Sequence, residues 1–411
     1  MSILSKLFES SDIAIDFGAA KMRVWVKGKG LVMEEPSAVA LSTLYDVDSK
    51  PRVLAVGAEA LELVGKHNNV AEQGMPLGCQ NEEMRAQTCA FAWLGVLEKG
   101  VPLTCRLCVP FDAHSKSGDS FQSSPRIPGD LGYLMWPRKG CVISDVDIAA
   151  KMLRYCLMKV KNAGKSTFRK PRVAIAVPAN ITEVEKRALE DAARFAGAGK
   201  VLLFDDRIAA ILGAGCDTCE RDSNLLVDIG ASATNIALIS PTGIACDRAL
   251  RVGGNEMNNA IMKHMRNKHK LLIGEREAED IKIKVGSAQK LEPELDCEIK
   301  GRDLGEGHQR TLTINSREIR EEALDKVLGR IEDALTDFIK FDVPQGIAAN
   351  LAKRGFILTG GSAILRGLAE RLADATGLPV RAAEDPAHAT IRGVGIVLDE
   401  LDFLSAHQKI S

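Results

Sequence analysis

The feature that most constrains this chain is a pattern that occurs twice: a buried strand, an Asp-x-Gly turn and a second buried strand. The first copy reads DIAIDFGAAKMRVWV, and the second, about half a chain later, reads NLLVDIGASATNIALIS. Asp16 and Gly18 of the first copy correspond to Asp228 and Gly230 of the second. Each copy predicts a β-hairpin. A repeat at this separation predicts two similar domains rather than a solenoid, whose periods are about 20–50 residues.

A turn of this kind is suited to binding phosphate. Its backbone N–H groups converge into a small anion-binding concavity, and glycine lets the main chain come close to a ligand. A carboxylate beside it can hold Mg²⁺ through water, because Mg²⁺ keeps much of its hydration shell. Two facing turns would then clamp a polyphosphate. A single Asp-x-Gly is ordinary hairpin chemistry, so it is the duplication that favours phosphate binding.

Two later segments agree with this interpretation. The stretch FILTGGSAILRGLAER predicts a strand, a Gly-Gly turn and an amphipathic helix with Ile364, Leu365 and Leu368 on one face. The N-terminus of such a helix would favour a negative group. The stretch IGEREAEDIKIKVG places Glu279 and Lys282 three residues apart on one helical face. Without the other motifs, that pair would indicate only an i,i+3 ion pair.

Composition and charge exclude several classes of protein. The 411 residues are 45% hydrophobic and 27% charged, as in soluble globular proteins, and the net charge of -1 gives no basic field for nucleic acid. No apolar run approaches the roughly 18 residues of a membrane-spanning helix, and the first residues do not form a signal peptide. We therefore expect reduced thiols. The two CxxC pairs, Cys105/Cys108 and Cys216/Cys219, lack zinc-module spacing and indicate unpaired thiols in loops.

In their order and combination these motifs resemble the actin-like ATPases, and most closely the bacterial rod-shape filament proteins of the MreB type. Further matching segments are VKGKGLVMEEPSAVAL, VAIAVPANITEVEKRALEDAARFAGA and AEDPAHATIRGVGIVLDEL. The resemblance covers nearly the whole chain except about residues 64–136. It implies an α/β, two-lobed actin-like ATPase fold, in which duplicated ribonuclease H-like domains have a nucleotide cleft between them.

The resemblance also implies how the chain is divided. We expect an N-terminal amphipathic segment, two lobes that each carry an outer subdomain, and a C-terminal helix that packs back on the first lobe. The N-terminal segment is residues 1–10. The first lobe is residues 11–206, with its core at 11–33 and 137–206 and its outer subdomain, which contains the insertion, at 34–136. The second lobe is residues 207–390, with its outer subdomain at about 252–318, and the C-terminal helix is residues 391–411.

The cofactors implied are ATP and Mg²⁺. By match to the family motifs, the catalytic residues are Glu185, Asp16 and Asp228. Asp16 and Asp228 would hold the metal through water, and Glu185 would orient the attacking water, a role that needs hydrogen-bond reach. Glu279 and Lys282 should face the ribose and adenine. The other predicted contacts lie in the two turns, in a Gly-Gly pair and behind the nucleoside: Gly18, Ala19, Ala20, Lys21, Gly230, Ala231, Ser232, Ala233, Thr234, Gly253, Gly254, Gly360, Gly361 and Ser362.

The phosphate turns depart from the family pattern. Ala19 and Ala20 stand where a hydroxyl and a polar residue are usual, Ala233 replaces a threonine near the catalytic water, and Arg207 replaces a proline. Each missing hydrogen bond to a charged group is worth about 1.5–3 kcal/mol. Lys21 either offsets this loss as a point charge on the phosphates or is an outward-facing strand lysine. The sequence therefore predicts nucleotide binding and leaves the rate of ATP hydrolysis open, with a slow ATPase expected.

Two further segments concern partners. Ile3, Leu4, Leu7 and Phe8 have helical spacing and predict an amphipathic helix on the inner membrane face; the alternatives are a disordered tail or docking onto the protein's own core. The insertion at residues 66–135 is longer than ordinary loops, and predicts a small helix-bearing elaboration followed by a mobile loop.

The leading hypothesis is a bacterial actin-like cytoskeletal protein that binds ATP-Mg²⁺ and polymerises into membrane-associated filaments, involved in cell shape or intracellular organisation. It would be cytoplasmic and peripheral at the inner face of the cell membrane. Its partners would be its own copies, the membrane surface, membrane morphogenesis proteins and a paralogous filament protein, but no nucleic acid.

The alternative is a degenerate, non-hydrolysing paralogue that is a structural or regulatory subunit of a standard filament. A sugar kinase of the same fold would need a carboxylate aimed at a substrate hydroxyl, for which the sequence offers no convincing candidate.

Overall fold

The structure is a computed structural model in which the chain divides into two compact units. One unit is Glu35–Pro137, and the other combines Met1–Glu34 with Arg138–Ser411. The domain boundaries expected from the sequence stay a prediction. The residues described are 12–45, 51–66, 70–71, 132–135, 138–139, 142–143, 146–163, 170–178, 181–216 and 222–407.

Several sequence predictions lie outside the described residues. They are the membrane segment with Ile3, Leu4, Leu7 and Phe8, most of the insertion at 66–135, and the thiols Cys105, Cys108 and Cys219. Within the described part, no helix is both long enough and apolar enough to cross a bilayer. Cys216, the described member of the CxxC pairs, is buried, and its sulfur accepts a hydrogen bond from Arg381.

The described part of the chain contains both strands and helices. The strands are β1 Ile13–Phe17, β2 Lys21–Val26, β3 Gly30–Pro36, β4 Val39–Tyr45, β5 Pro51–Val56, β6 Val70–Ala71, β7 Gly132–Met135, β8 Arg138–Lys139, β9 Val142–Ile143, β10 Arg172–Val177, β11 Lys200–Asp205, β12 Asn224–Ile229, β13 Thr234–Ser240, β14 Gly243–Leu250, β15 Leu271–Leu272, β16 Asp296–Asp303, β17 Gln309–Asn315, β18 Phe356–Thr359 and β19 Val380–Ala382. The helices are α1 Ala58–Lys66, α2 Val146–Ala163, α3 Glu183–Phe195, α4 Asp206–Gly213, α5 Gly254–His269, α6 Glu275–Val285, α7 Asp325–Asp337, α8 Gln345–Arg354, α9 Leu368–Thr376 and α10 Ala389–His407. Shorter helical turns are Ser316–Glu318, Ile319–Leu324, Phe338–Asp342, Gly361–Ile364 and Pro386–His388.

The larger unit contains two five-stranded sheets with the same topology. Their strand orders are β11-β10-β1-β2-β3 and β19-β18-β12-β13-β14. Each hairpin is antiparallel, with Phe17 opposite Met22 in the first and Ile229 opposite Thr234 in the second. The strands on the other side, β10 and β11 in one sheet and β18 and β19 in the other, run parallel to β1 and β12. The repeated turn is therefore part of a repeated sheet, and the two predicted hairpins are confirmed.

Strands β1 and β18 are buried along their whole length. All five residues of β1 and all four of β18 are buried, which is typical of parallel-sheet strands covered by helices on both faces. In the second half of the chain, α5, α6 and α7 contribute apolar side chains to one cluster with β12 and β18. Its members include Leu225, Val227, Ile261, Ile281, Ile331 and Leu358.

Helix α10 crosses α4 at very short range. A Cβ added to Gly213 of α4 would lie 1.7 Å from the Ala389 carbonyl oxygen, and one added to Gly393 of α10 would lie 1.8 Å from that of Ala209. Only glycine leaves room for the two backbones at these points. The apolar side chains of α10 thereby reach the first sheet. Ile391, Val394 and Leu398 of α10 form one cluster with Ala14, Ala174 and Ala176.

One predicted helix boundary is wrong. The sequence predicts an amphipathic helix directly after the Gly-Gly turn, but the structure has a 3₁₀ turn at Gly361–Ile364, and α9 begins only at Leu368. Ile364 is 61% exposed instead of buried. The break arises because the Arg366 carbonyl accepts a hydrogen bond from Ala288 N–H (2.7 Å), and because Gly367 adopts a φ of 73°. The N-terminus of α9 therefore does not follow the glycine pair.

Candidate functional site

The second repeated turn is closed by its own backbone and abuts the start of α5. Gly230 N–H donates to the Ala233 carbonyl (2.9 Å). From the first turn of α5, Gly254 N–H donates to the Gly230 carbonyl (3.0 Å) and Asn255 N–H to the Ala231 carbonyl (2.7 Å). The turn thus satisfies helix donors that would otherwise lack a partner, and the helix holds the turn in place.

The glycine pair before and at the start of α5 is required by this contact. A Cβ on Gly253 would lie 2.6 Å from the Gly230 carbonyl oxygen. A Cβ on Gly254 would lie 2.8 Å from Ser362 Oγ and 3.1 Å from Lys282 Nζ. These distances are shorter than ordinary contacts, so any larger residue would push the turn, α6 or the 3₁₀ segment away.

Side chains from α6 and from the 3₁₀ segment complete the same region. Lys282 Nζ donates to the Gly254 carbonyl (3.2 Å) and pairs with Glu279 (2.6 Å), as expected for i,i+3 neighbours. Glu279 also accepts from Asn258 Nδ2 (2.7 Å), and Ser362 Oγ donates to the Gly230 carbonyl (2.9 Å). The structure therefore brings the predicted second-lobe residues together.

Asp228 and Thr234 are both anchored within the protein. Thr359 lies beside Asp228 on the neighbouring parallel strand, and its hydroxyl donates to Asp228 Oδ1 (2.9 Å). Thr234 is fully buried, and its hydroxyl donates to the Val252 carbonyl (2.7 Å). The hydroxyl proton of Thr234 is thus used to position the segment that leads into α5.

The two glycines after β18 have different roles. Gly360 has a φ of 92°, and a Cβ there would lie 2.3 Å from the Ile229 carbonyl oxygen, so glycine is required for the close approach to β12. A Cβ on Gly361 would meet no atom within 4 Å. Gly361 consequently borders open space beside Ser362, where the sequence predicts the nucleoside.

The first repeated turn carries a positive charge at its carboxylate. Asp16 is 7% exposed, and Arg23, directly opposite on β2, places Nη1 at 3.2 Å from Asp16 Oδ2. Arg23 Nε also lies 3.0 Å from Glu34 Oε2, and Lys21 forms an ion pair with the other oxygen of Glu34. Lys21 is thus an outward-facing strand lysine in this structure, and its contact with phosphate stays a prediction. A Cβ on Gly18 would lie 2.5 Å from the Lys21 carbonyl oxygen.

Glu34 is the centre of this charge network. His388 Nε2 lies 2.7 Å from Glu34 Oε2, and His388 Nδ1 lies 2.8 Å from Asp385 Oδ2. Burial by itself would raise the pKa of Glu34, but hydrogen bonds from Lys21 and His388 and the charge of Arg23 lower this pKa to about 2. The network therefore joins β2 and β3 to the turn before α10.

Glu185 caps its own helix. Its carboxylate accepts from the Thr182 backbone N–H (2.8 Å) and from the Thr182 hydroxyl (2.7 Å), while Glu185 N–H donates to Thr182 Oγ1 (3.2 Å). This reciprocal arrangement is a capping box, and it fixes the carboxylate at the start of α3. Whether Glu185 orients a water molecule stays a prediction.

Arg207, where the family normally has a proline, is a buried ion-pair centre. It is 7% exposed, contacts Asp205 at 2.8 Å and contacts Asp247 of β14 at 2.6 Å. Burial would lower its pKa, but the hydrogen bonds and charges of Asp205 and Asp247 raise it. The guanidinium therefore stays charged and ties the start of α4 to the second sheet.

Sequence reasoning missed Arg23, Thr359 and His388. Arg23 had a readable signal, because the hairpin register places it opposite Asp16. Thr359 and His388 had none, since their partners are distant in the sequence and meet them only in the folded chain.

Comparison with known proteins places these observations in a family. The model of the MreB/Mbl protein family matches residues 10–78 and 126–406. The cell shape-determining protein Mbl of Bacillus subtilis (strain 168) is 33% identical over 393 residues, which are 96% of this chain and 97% of Mbl. The cell shape-determining protein MreB of Escherichia coli (strain K12) is 33% identical over 396 residues, which are 96% of this chain and 94% of MreB.

Solved structures agree with the fold. MreB5 of Spiroplasma citri bound to ADP has a TM-score of 0.73 and 25% identity, and the alignment covers 96% of this chain and 97% of MreB5. MamK in a double helical filament has a TM-score of 0.63 at 16% identity, covering 94% of this chain and 99% of MamK, and supports the fold alone. Since the family model spans most of the sequence and the relatives align over nearly their full length, the chain belongs to the MreB/Mbl family and has its two-lobed, actin-like α/β fold.

Proposed function

We propose that this chain is a bacterial actin-like cytoskeletal protein that binds ATP with Mg²⁺ and polymerises into membrane-associated filaments. The observation that carries the proposal is the convergence of the Gly230 turn, the start of α5, the Lys282–Glu279 pair and the Gly361–Ser362 segment. Glycines line this region, an ammonium group is available, and Gly361 borders open space. MreB5, which has the same fold, is bound to ADP in its crystal structure.

The roles of the site residues follow from their positions. Lys282 and Glu279 would contact the ribose and adenine, with Gly360, Gly361 and Ser362 behind the nucleoside. The two turns, Gly18–Lys21 and Gly230–Thr234, would hold the phosphates, assisted by Gly253 and Gly254. Backbone N–H groups are the main donors there, since the Ala19, Ala20, Ala231 and Ala233 side chains have no hydroxyl.

The carboxylates of Asp16 and Asp228 are of the type that Mg²⁺ accepts, and water-mediated contact does not require the ideal geometry of direct ligation. Asp228 accepts a hydrogen bond from the neutral hydroxyl of Thr359, whereas Asp16 already faces the Arg23 guanidinium. The donor set therefore fits the metal. The metal would supply charge stabilisation to the phosphates.

Hydrolysis, if it occurs, would use Glu185 to orient water, and the altered turns predict a slow rate. The alternative of a non-hydrolysing subunit is not supported by the comparisons, because the relatives are Mbl and MreB proteins that align over nearly the whole chain. The altered turns alone do not require it.

Self-assembly and membrane contact complete the proposal. The nucleotide would bind the closed, polymerising conformation with higher affinity than the open one. Closure of the lobes on nucleotide would therefore favour the polymerising conformation. Ile3, Leu4, Leu7 and Phe8 could contribute roughly 1.5–3 kcal/mol each when buried in lipid. One copy would therefore bind weakly, while a filament would bind strongly through its many linked copies. The cytoplasmic location and the partners, membrane morphogenesis proteins and a paralogous filament protein, belong to the same proposal.

Three measurements on the purified full-length protein test these steps separately. Titration with a fluorescent ATP analogue, with and without Mg²⁺, should give saturable binding. Sedimentation should show a pellet that depends on nucleotide. Sedimentation with anionic vesicles should recover wild-type protein but not a variant with Ile3, Leu4, Leu7 and Phe8 replaced by Ser. Absence of saturable binding would overturn the nucleotide proposal, and a protein that stays monomeric at high concentration with ATP and with ADP would overturn polymerisation.

A further inference from the structure

Two imidazoles and one carboxylate converge at a place that the nucleotide proposal does not use. His264 and His269 belong to the C-terminal end of α5, and Glu318 ends the helical turn Ser316–Glu318. His264 Nε2 lies 2.7 Å from Glu318 Oε1, and His269 Nε2 lies 2.5 Å from the same oxygen. The ring centroids are 5.7 Å apart, with the ring planes at 78° to one another. Two separate segments therefore direct three metal-ligating side chains to one point.

We propose that His264, His269 and Glu318 form a binding site for a divalent first-row transition metal of the zinc type. Imidazole nitrogen and carboxylate oxygen are donors that such metals accept, whereas Mg²⁺ and Ca²⁺ favour oxygen alone. The three ligand atoms lie within 4.8 Å of one another. Around a tetrahedral zinc with bonds of about 2.0–2.1 Å, ligand atoms would be roughly 3.3 Å apart. Side-chain shifts of less than about 1 Å would bring the separations, which run from 2.5 Å to at most 4.8 Å, to that value.

The surroundings favour a metal over water at this point. The side chains of His264, His269 and Glu318 are 7%, 20% and 18% exposed, so the cluster is largely shielded. Glu322 Oε2 lies 4.0 Å from His264 Nδ1, the ring nitrogen that would not bind the metal. Glu322 is too far away for a hydrogen bond to this nitrogen, but its negative charge would favour a cation bound at the other ring nitrogen. Water would complete the coordination.

One cation competes for the site. Lys268 Nζ lies 3.3 Å from Glu318 Oε1, and it would repel a divalent metal. Its side chain is 44% exposed, and it also contacts Glu322 Oε1 at 2.5 Å. The ammonium group can therefore leave Glu318 while it keeps an ion pair with Glu322. It follows that removal of the Lys268 charge should strengthen metal binding. General loss of structure would instead weaken metal binding, so the two effects can be told apart.

The bound metal would crosslink α5 to the segment that follows β17. The other end of α5 holds the second repeated turn through Gly254 and Asn255. A ligand that binds the folded state alone raises its stability by RT ln(1 + [L]/Kd), where [L] is the free ligand concentration. The metal should therefore raise the thermal unfolding midpoint, independently of any nucleotide.

Titration of the full-length protein with Co²⁺ at neutral pH tests the site. Nitrogen and oxygen ligation gives visible d–d bands, whereas ligation by any of the ten cysteines would add an intense near-ultraviolet charge-transfer band. We expect the visible bands without the thiolate band, and we expect Zn²⁺ to bleach them.

His269→Gln and Glu318→Gln should weaken Co²⁺ binding at least tenfold, while Lys268→Met should tighten it. His308→Gln, which changes a 59% exposed imidazole that pairs with Glu306 outside the cluster, is the matched control and should bind as the wild type does.

Folding of each variant is checked by its metal-free unfolding midpoint. Should a variant not fold, proton NMR of the Co²⁺-loaded wild-type protein decides instead, because two hyperfine-shifted imidazole N–H signals are expected. The proposal is overturned by absence of binding, by a spectrum dominated by thiolate ligation, by fewer than two shifted imidazole signals, or by unchanged affinity in folded His269→Gln and Glu318→Gln proteins.

Discussion

Arg23 lies directly opposite Asp16 in the first hairpin, and its Nη1 is 3.2 Å from Asp16 Oδ2. The carboxylate proposed to hold Mg²⁺ therefore already has a cationic partner inside the protein. Both side chains are largely buried, at 13% and 10% exposure, so the pairing is only weakly screened by solvent. The first turn should consequently depend less on the metal than it would without Arg23.

Replacing Arg23 by Met tests this relationship. Without the guanidinium, Asp16 is left with an uncompensated charge, and a hydrogen bond between charged groups is worth about 1.5–3 kcal/mol. We expect the Mg²⁺ concentration for half-maximal ATP-analogue binding to fall about tenfold. Arg23→Lys keeps the charge and should stay near the wild-type value. An unchanged Mg²⁺ midpoint in folded Arg23→Met would contradict a role of Arg23 at the metal-holding carboxylate.

The Glu34 network predicts a pH dependence of stability. The pKa of Glu34 is lowered from its ordinary 4.5 to about 2. A lowered carboxyl pKa stabilises the folded state fully above the unfolded pKa, and this contribution is lost as the pH falls from about 4.5 to about 2. The full conversion at about 1.36 kcal/mol per pKa unit is an upper limit, because solvent screens this partly exposed network, and the contribution at pH 7 is on the order of 1–2 kcal/mol.

Urea unfolding of Glu34→Gln at pH 7 and at pH 3 measures this contribution. The variant should be less stable than the wild type by about 1–2 kcal/mol at pH 7, and the difference should shrink to less than half at pH 3. Glu190→Gln is the control, because Glu190 is 39% exposed and lies 3.9 Å from Arg194, and such surface pairs contribute little. A difference that does not change with pH would show that the charge of Glu34 is not the cause.

Local sequence patterns predicted the parts of the site that depend on neighbours in the chain. The two hairpins and the Glu279–Lys282 pair follow from spacing, whereas Glu185 was assigned from the family resemblance. The Thr-x-x-Glu spacing of Thr182 and Glu185 was itself a readable capping-box signal, although Glu185 was predicted only as a catalytic carboxylate.

The parts that could not be predicted depend on distant contacts. Thr359 meets Asp228 because β18 lies parallel to β12, and His388 meets Glu34 across most of the chain. The incorrect start of α9 has the same origin, since the Ala288 N–H that bonds the Arg366 carbonyl comes from the segment after α6. An apolar helical pattern does not show where an outside donor will interrupt it.

Gly213 should be essential for the contact between α4 and α10. In Gly213→Ala the new Cβ would lie 1.7 Å from the Ala389 carbonyl oxygen, so the helices must separate. Overpacking of this kind costs about 1–3 kcal/mol or more, and the urea midpoint should fall accordingly. Gly329→Ala is the control: it lies inside α7 with no atom within 4 Å of the added Cβ, and it should gain up to about 1 kcal/mol. Equal stability of the two variants would contradict the close packing.

Glu185 can be tested without loss of its structural role. Gln can replace Glu in a capping box, so Glu185→Gln should keep the wild-type unfolding midpoint while it loses the carboxylate. If Glu185 orients the attacking water, phosphate release under polymerising conditions should fall at least tenfold, since positioned groups of this kind contribute about 10²–10⁴-fold. Glu185→Ala should lower both release and stability. Wild-type release by a folded Glu185→Gln protein would remove Glu185 from the mechanism, and release no faster in the wild type than in Glu185→Ala would favour the non-hydrolysing alternative.

Gly361 separates nucleotide binding from folding more sharply than any other position in the site. Its added Cβ would meet no protein atom within 4 Å, and its φ is not in the left-handed region, so a larger residue should be tolerated by the fold. The same open space is where the nucleoside is proposed to lie, and a Leu side chain would fill it. We therefore expect Gly361→Leu to weaken binding of the ATP analogue at least tenfold, with little change in the unfolding midpoint of the nucleotide-free protein.

Gly346→Leu, also in open space but in the first turn of α8, should bind as the wild type does. Full affinity in Gly361→Leu would mean that the nucleoside does not lie against this segment, and the assignment of Gly360, Gly361 and Ser362 would have to be withdrawn.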